Sequence, residues 1–258
     1  MSDWALILGV SSGFGASVAK ELAKNNINIY GVHLDRKAAM DDINQFQKEL
    51  QKNDVKVIFK NASATEKDIR DVVIDELIQK GDIRIKILLH SLAFGALRPI
   101  FDETVQSSLN QKQVEMTLNV MANSLIYWSQ DLFNSKLLKK GSQIFAMTSS
   151  GGHRQWKAYG AVSAAKAALE SYCRQLAVEL GIHNIAANAI QAGVTDTPAL
   201  RKIPGNDQMI ENTLKINPSK RLTTPEDVAS IIKLIGLSEN TWMTGNTIRV
   251  DGGEDITG

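Results

Sequence analysis

Tyr159 and Lys166 stand seven residues apart, shortly after Thr148-Ser149-Ser150. An α-helix takes about 3.6 residues per turn, so seven residues return a side chain to the same face two turns on. A lysine ammonium near a phenol stabilises the phenolate and lowers its pKa, which makes tyrosine a usable acid. The same ammonium can donate to the hydroxyls of a nucleotide ribose. Taken singly, the two have plainer readings: Tyr159 as packing at a helix start, Lys166 as a surface charge. A second group that could do chemistry is Gly9-Val10-Ser11-Ser12-Gly13-Phe14-Gly15. Glycine allows a tight turn and a close backbone approach to a phosphate. A helix that follows offers free N–H groups and the positive end of its dipole. The plainer alternative is an ordinary strand-to-helix turn.

These groups need strands and helices to hold them. Residues 4–8 form an unbroken apolar run that ends at Gly9. Residues 16–24 then change period: Val18, Ala19, Leu22 and Ala23 share one helical face, with Lys20, Glu21 and Lys24 on the other. Further strands are predicted at 27–34, 55–59, 85–89, 142–147, 185–190 and 247–250, and helices at 38–52, 65–80, 111–136, 159–181 and 225–237. Strands alternating with helices mean βαβ units. The expected fold is therefore α/β, a Rossmann-type doubly wound sheet of about seven parallel strands with helices on both faces. The glycine turn, placed after the first strand of such a unit, is where a dinucleotide fingerprint sits. Residues 1–258 show no repeat or linker and are expected to form one dinucleotide-binding domain. The stretch around 192–217 holds Pro198 and Pro204 and no clear strand, and reads as a substrate lid.

Composition narrows the function. The 258 residues are 43% apolar and 22% charged, which is globular composition and argues against disorder or a coiled coil. With 29 basic and 28 acidic residues the net charge is +1, so neither nucleic acid nor an anionic membrane is expected as a partner. No apolar run approaches the roughly 20 residues of a membrane span. The start, Met1-Ser2-Asp3-Trp4, lacks a basic leader region, so a cytoplasmic protein is expected. Cys173 is the one cysteine and the four histidines are scattered, so no metal site is expected.

With these residues in view, the whole chain resembles the short-chain dehydrogenase/reductase family. Most members carry Tyr-x3-Lys; this chain has Val162 at that tyrosine position and instead reads Tyr159-Gly-Ala-Val-Ser-Ala-Ala-Lys166. That Tyr-x6-Lys spacing is similar to the enoyl-acyl-carrier-protein reductase branch. His90-Ser91-Leu92-Ala93-Phe94, Leu97-Arg98-Pro99 and Asp196-Thr197-Pro198-Ala199-Leu200 look like segments of the same branch, and Val250-Asp251-Gly252-Gly253 is common to the family.

The resemblance implies roles, residue by residue. Tyr159 would stabilise the enolate oxygen of a thioester after hydride reaches the β-carbon, and Lys166 would bind the nicotinamide ribose. Gly9, Ser11, Ser12, Gly13, Phe14 and Gly15 would wrap the pyrophosphate. Ser63 would lie by the adenine, although the family usually has an Asp-Val pair where this chain has Asn61-Ala62-Ser63. His90, Ser91, Leu92 and Ala93 would line the adenosine side; Gly193, Val194 and Thr197 would meet the nicotinamide carboxamide and phosphate. Asn119 lies where relatives place an asparagine supporting the lysine. Ser149 lies where Tyr-x3-Lys members keep a catalytic serine, and is here either a second donor or a leftover. In the family's usual spacing His33 would select the cofactor. It is not acidic, and Arg36 and Lys37 follow, which favours NADPH over NADH, although Asp35 could still bind a ribose 2′-hydroxyl. A homotetramer is implied as well.

The resulting expectation is NAD(P)H-dependent reduction of the trans-2 double bond of an enoyl thioester, carried on acyl carrier protein or coenzyme A, in fatty-acid synthesis. One alternative is reduction of a ketone or another enone, such as a 3-oxoacyl thioester. Another is a nucleotide-binding sensor without turnover. Cys173 shares a helical face with Leu169, Leu176 and Leu180 and is expected to be buried packing. Met116, Leu118 and Met121 are expected in the core of a long helix. Arg201, Lys202, Lys215, Lys220 and Arg221 surround the lid, as a solvated surface or a landing site for an acidic carrier.

Overall fold

The computed structural model describes residues 1–257. Seven strands form one parallel sheet: β1 (Ser2–Leu8), β2 (Asn28–His33), β3 (Val57–Asn61), β4 (Ile83–His90), β5 (Gln143–Ser149), β6 (Ala186–Ala192) and β7 (Thr247–Val250). Their order across the sheet is β3-β2-β1-β4-β5-β6-β7. The chain winds outward from β1 in one direction, then returns to β4 and winds in the other. The switch between β1 and β4 opens a crevice at the carboxyl ends of both strands, which is where doubly wound sheets bind ligands.

Both faces of the sheet are covered, which is why its strands read as apolar runs rather than alternating ones. In β1 successive side chains still point to opposite faces. Trp4, Leu6 and Leu8 join the core under α3 (Lys67–Ile78), α5 (Ser124–Asn134) and α6 (Gly160–Leu180). Ala5 and Ile7 join the core under α1 (Gly13–Ala23), α2 (Met40–Gln51) and α8 (Pro225–Gly236). Each such Leu or Ile contributes about 1.5–3 kcal/mol on burial.

Two stretches depart from the expectations. The helix expected at 111–136 is α4 (Gln111–Leu118) and α5 joined by a π-turn over Asn119–Asn123. Side chains anchor that turn: the Ser124 hydroxyl donates to the Val120 carbonyl at 2.8 Å, and Tyr172 donates to Asn123 Oδ1 at 2.9 Å. The stretch around 192–217 contains a short 3-10 turn at Leu200–Lys202 and a full helix, α7 (Asn206–Ile216). The Trp156 indole N–H donates to the Pro204 carbonyl at 3.0 Å and pins the start of that helix. Cys173 and Met121 are buried as expected, while Met116 and Leu118 are half-buried.

Candidate active site

The glycine turn joins β1 to α1 at the switch point. Gly9 has φ +91°, and a Cβ there would stand 2.5 Å from the Ser91 carbonyl oxygen. A Cβ on Gly15 would stand 2.0 Å from the Gly9 oxygen. Glycine is therefore required at both positions: the turn folds onto itself and onto the end of β4, where the Ser91 N–H donates to Leu8 O at 2.9 Å. Ser12 caps α1 with extended backbone, makes no side-chain cap bond, and no acidic residue lies in the first turn. The N–H groups of that turn have no helical partner. A small, electropositive cradle with no carboxylate in it suits a pyrophosphate. Thr197 stands across from it, its methyl 3.6 Å from where a Gly13 Cβ would be.

The second wall is built by β5 and α6. Tyr159 occupies the N-cap of α6, and Lys166 lies two turns along. Gly151 lets Tyr159 and Ser149 approach each other: its Cβ would meet the Tyr159 ring at 2.5 Å and Ser149 Oγ at 3.3 Å. The Ser149 hydroxyl is buried and has no hydrogen-bond partner of good geometry, yet it lies near enough to the phenol to lower its pKa slightly. A buried hydroxyl without a well-placed partner is costly.

The expected lowering of the Tyr159 pKa by Lys166 does not occur. Burial raises the phenol above its ordinary value, and Ser149 is the one neighbour that opposes it. Lys166 is directed elsewhere. The residue is buried, and its ammonium donates to the Met147 carbonyl at 2.6 Å. Burial pushes it down to about 8, with the Glu170 carboxylate opposing. Glu170, one turn beyond Lys166, accepts from the Thr148 hydroxyl at 2.7 Å. Its i,i+4 spacing from Lys166 is a signal of this pairing that the sequence itself carries.

Other candidate residues take these places. His90 ends β4, 1% exposed, with Nε2 at 2.8 Å from Ser124 Oγ. Ser124 spends its proton on Val120, so it accepts from His90 Nε2–H. Burial, then the nearby Lys166 charge, pushes His90 down to about 3, so the ring is neutral. Asn119 begins the π-turn. Leu92 is half-buried and Ala93 exposed at the crevice rim. Ser63 bonds Thr65 through their hydroxyls at 2.9 Å. His33 is 3% exposed, its Nδ1 at 3.0 Å from Asp35 Oδ2 and its ring edge-on to Phe59. Asp35 is further held by Asn61 through paired 3.0 Å bonds. Arg36 and Lys37 are exposed beside it. Val194 and Gly193 flank the end of β6, where Val194 N–H donates to Glu254 at 3.0 Å.

Of the basic residues about 192–217, Arg201 is paired with Asp196 at 2.8 Å and Arg221 with Asp227 at 2.6 Å. Among the described residues, no group of histidine, cysteine and carboxylate side chains could hold a metal, and no helix is long and apolar enough to cross a membrane.

A glycine cradle at the switch point, faced by a tyrosine and a lysine from a later crossover, defines a Rossmann-type oxidoreductase. The chain belongs to the short-chain dehydrogenase/reductase family: the family model described as "Enoyl-(Acyl carrier protein) reductase" matches residues 9–254. It is 27% identical over 255 residues to enoyl-acyl-carrier-protein reductase (NADH) FabI of Buchnera aphidicola subsp. Baizongia pistaciae, covering 98% of this chain and 94% of that one. It is 22% identical over 264 residues to the (S)-acetoin-forming diacetyl reductase of Staphylococcus epidermidis, covering 98% of each. The crystal structure of enoyl-acyl-carrier-protein reductase (NADH) from Aquifex aeolicus VF5 superposes with a TM-score of 0.86 at 22% identity, over 100% of this chain and 97% of that one. These relatives carry different substrates in their names, so they establish family and fold rather than substrate.

Proposed function

We propose that this chain reduces the trans-2 double bond of an enoyl thioester, with NADPH as its preferred cofactor. The observation that carries the reading is position 162. Position 162 is a buried valine, so no phenol stands four residues before Lys166, where most of the family places it. The phenol is instead that of Tyr159, three residues further back at the N-cap of α6, with the Ser149 hydroxyl at the end of β5. In a ketone the carbon that takes hydride and the oxygen that takes a proton are bonded to each other. In an enoyl thioester two more carbons separate them, and a donor set further back suits that spacing.

The bound nicotinamide would supply the hydride to the β-carbon. Tyr159, kept protonated by burial, would donate to the thioester oxygen as its charge develops. Ser149 would be a second donor to the same oxygen. The enolate, released from its hydrogen bond to Tyr159, then takes a proton from water at the α-carbon to give the saturated thioester. Lys166 would turn from Met147 to the nicotinamide ribose, adding positive charge nearby, with Asn119 behind it. Gly9, Ser11, Ser12, Gly13, Phe14 and Gly15 would hold the pyrophosphate, with Thr197 opposite. The preference for NADPH is supported by Asp35, whose carboxylate is engaged by His33, while Arg36 and Lys37 are exposed for a 2′-phosphate. The names of the FabI relatives point to NADH instead. The acyl group would be presented by a carrier protein or coenzyme A, with residues 192–217 as its lid, and the assembly would be a homotetramer.

The test is oxidation of NADPH and of NADH with crotonyl thioester, wild type beside Tyr159→Phe, with product analysis. Saturated thioester, lost by about 10²–10⁴-fold in the variant, is expected. Reduction of a 3-oxoacyl thioester to an alcohol, with crotonyl thioester untouched, would overturn it. So would nucleotide binding with no turnover of either, which is the sensor alternative.

A further inference from the structure

Beyond β7 the chain bends back and sets two neighbouring carboxylates beneath the candidate site. Gly252 and Gly253 make the bend at φ +63° and +84°. Asp251 fixes it, accepting from the N–H of Gly253 at 2.9 Å and of Asp255 at 3.1 Å. Glu254 then holds Val194, as described. Asp255 is engaged more heavily. Its side chain, 3% exposed, lies 3.0 Å from His153 Nε2, 2.9 Å from Arg154 Nε and 3.2 Å from Arg249 Nε. Gln191 Nε2 donates to it at 3.0 Å, and Arg154 Nη2 donates to its main-chain oxygen at 2.7 Å.

One carboxylate thus gathers the end of β6, strand β7 and the turn after β5. That turn is the one that matters for chemistry. His153 and Arg154 directly follow Gly151 and Gly152, and Gly151 lies against the Tyr159 ring and Ser149. Asp255 itself has no bond to Tyr159, Lys166 or Ser149. Burial alone would raise its carboxyl; the bonds from Gln191 and His153 and the Arg154 charge outweigh it and hold it ionised.

We propose that Asp255 is a positioning residue: its carboxylate ties the 150–154 turn to β6 and β7, and so holds Gly151 and Ser149 against Tyr159. This rests on the reading that Tyr159 and Ser149 act on the substrate oxygen.

The test compares Asp255→Ala, Asp255→Asn and Arg154→Ala with wild type by hydrogen exchange, cofactor titration and steady-state kinetics on the whole chain. In Asp255→Ala, exchange across 150–158 should quicken and kcat fall about 10- to 100-fold, with the Kd for NADPH unchanged within a factor of about three. Arg154→Ala should show a smaller loss in the same direction, and the double variant should lose less than the product of the two. Should Asp255→Ala fail to fold, Asp255→Asn, which keeps volume and one acceptor, is read in its place. Unchanged exchange at 150–158 overturns the proposal. So does faster exchange with kcat intact, or equal losses in kcat and Kd. If wild type reduces a 3-oxoacyl thioester instead, the enoyl reading fails, and the same kcat comparison on that substrate still decides about Asp255.

Discussion

The ammonium of Lys166 is held by the main-chain oxygen of Met147 at 2.6 Å, so a cation of α6 is drawn onto the third residue from the end of β5. Buried there, it titrates at about 8 instead of the ordinary lysine value of 10.5. The kcat/KM profile, which reports the free enzyme, should fall on its alkaline side near that pH. Lys166→Arg should retain the charge and move the fall upward. A profile flat through pH 10 in wild type would refute this.

The same group links stability to pH. Below about 8 both folded and unfolded chains carry the proton. Between about 8 and 10.5 the unfolded chain holds a proton that the folded chain has released, so wild-type stability relative to Lys166→Met should rise with pH in that window. Urea unfolding at pH 7.5, 9 and 10 checks the sign; a difference that falls with pH would exclude it.

Ser149→Ala should separate function from stability. The variant removes a buried hydroxyl that has no hydrogen-bond partner of good geometry. An unsatisfied buried polar group costs about 1–3 kcal/mol, so Tm should rise by a few degrees. Losing one donor to a developing oxyanion should lower kcat by about 10²–10³-fold. An unchanged kcat would make Ser149 a leftover rather than a participant.

Gly15→Ala should abolish nucleotide binding. Its Cβ would lie 2.0 Å from the Gly9 oxygen, so the phosphate turn must open. Gly181→Ala is the control: nothing lies within 4 Å of a Cβ there. Isothermal titration with NADPH and NADH should show loss in the first and none in the second.

Arg36→Ala tests the cofactor. Arg36 is exposed beside an Asp35 already bonded to His33. Losing a charge-assisted bond to a 2′-phosphate, worth about 1.5–3 kcal/mol, should weaken NADPH roughly 10- to 150-fold and leave NADH unchanged. Equal weakening of both would assign Arg36 no part in selection.

The first strand, the glycine turn and α1 were legible because each is specified within about two dozen consecutive residues: an apolar run, a Gly-x-x-x-Gly-x-Gly turn, a 3.6-residue period. Tyr159 and Lys166 were legible for the same reason, since one helix carries both. The parallel sheet followed from the alternation of strands and helices.

What the chain alone could not decide rests on segments that meet only in three dimensions. The local sequence puts Tyr159 and Lys166 on one face, but where the ammonium points depends on Met147, from a neighbouring strand, and burial of the phenol raises the pKa that the lysine was expected to lower. The π-turn at Asn119 depends on Tyr172, 49 residues away from its partner Asn123. The unpaired Ser149 is an absence of partners, which only packing can create. Asp255 lies 101 residues from Arg154 and 64 from Gln191, and no periodicity reaches so far. Secondary structure is a local bargain between side-chain pattern and backbone geometry; charge, burial and hydrogen-bond direction at the site are properties of the environment, and tertiary folding makes the environment.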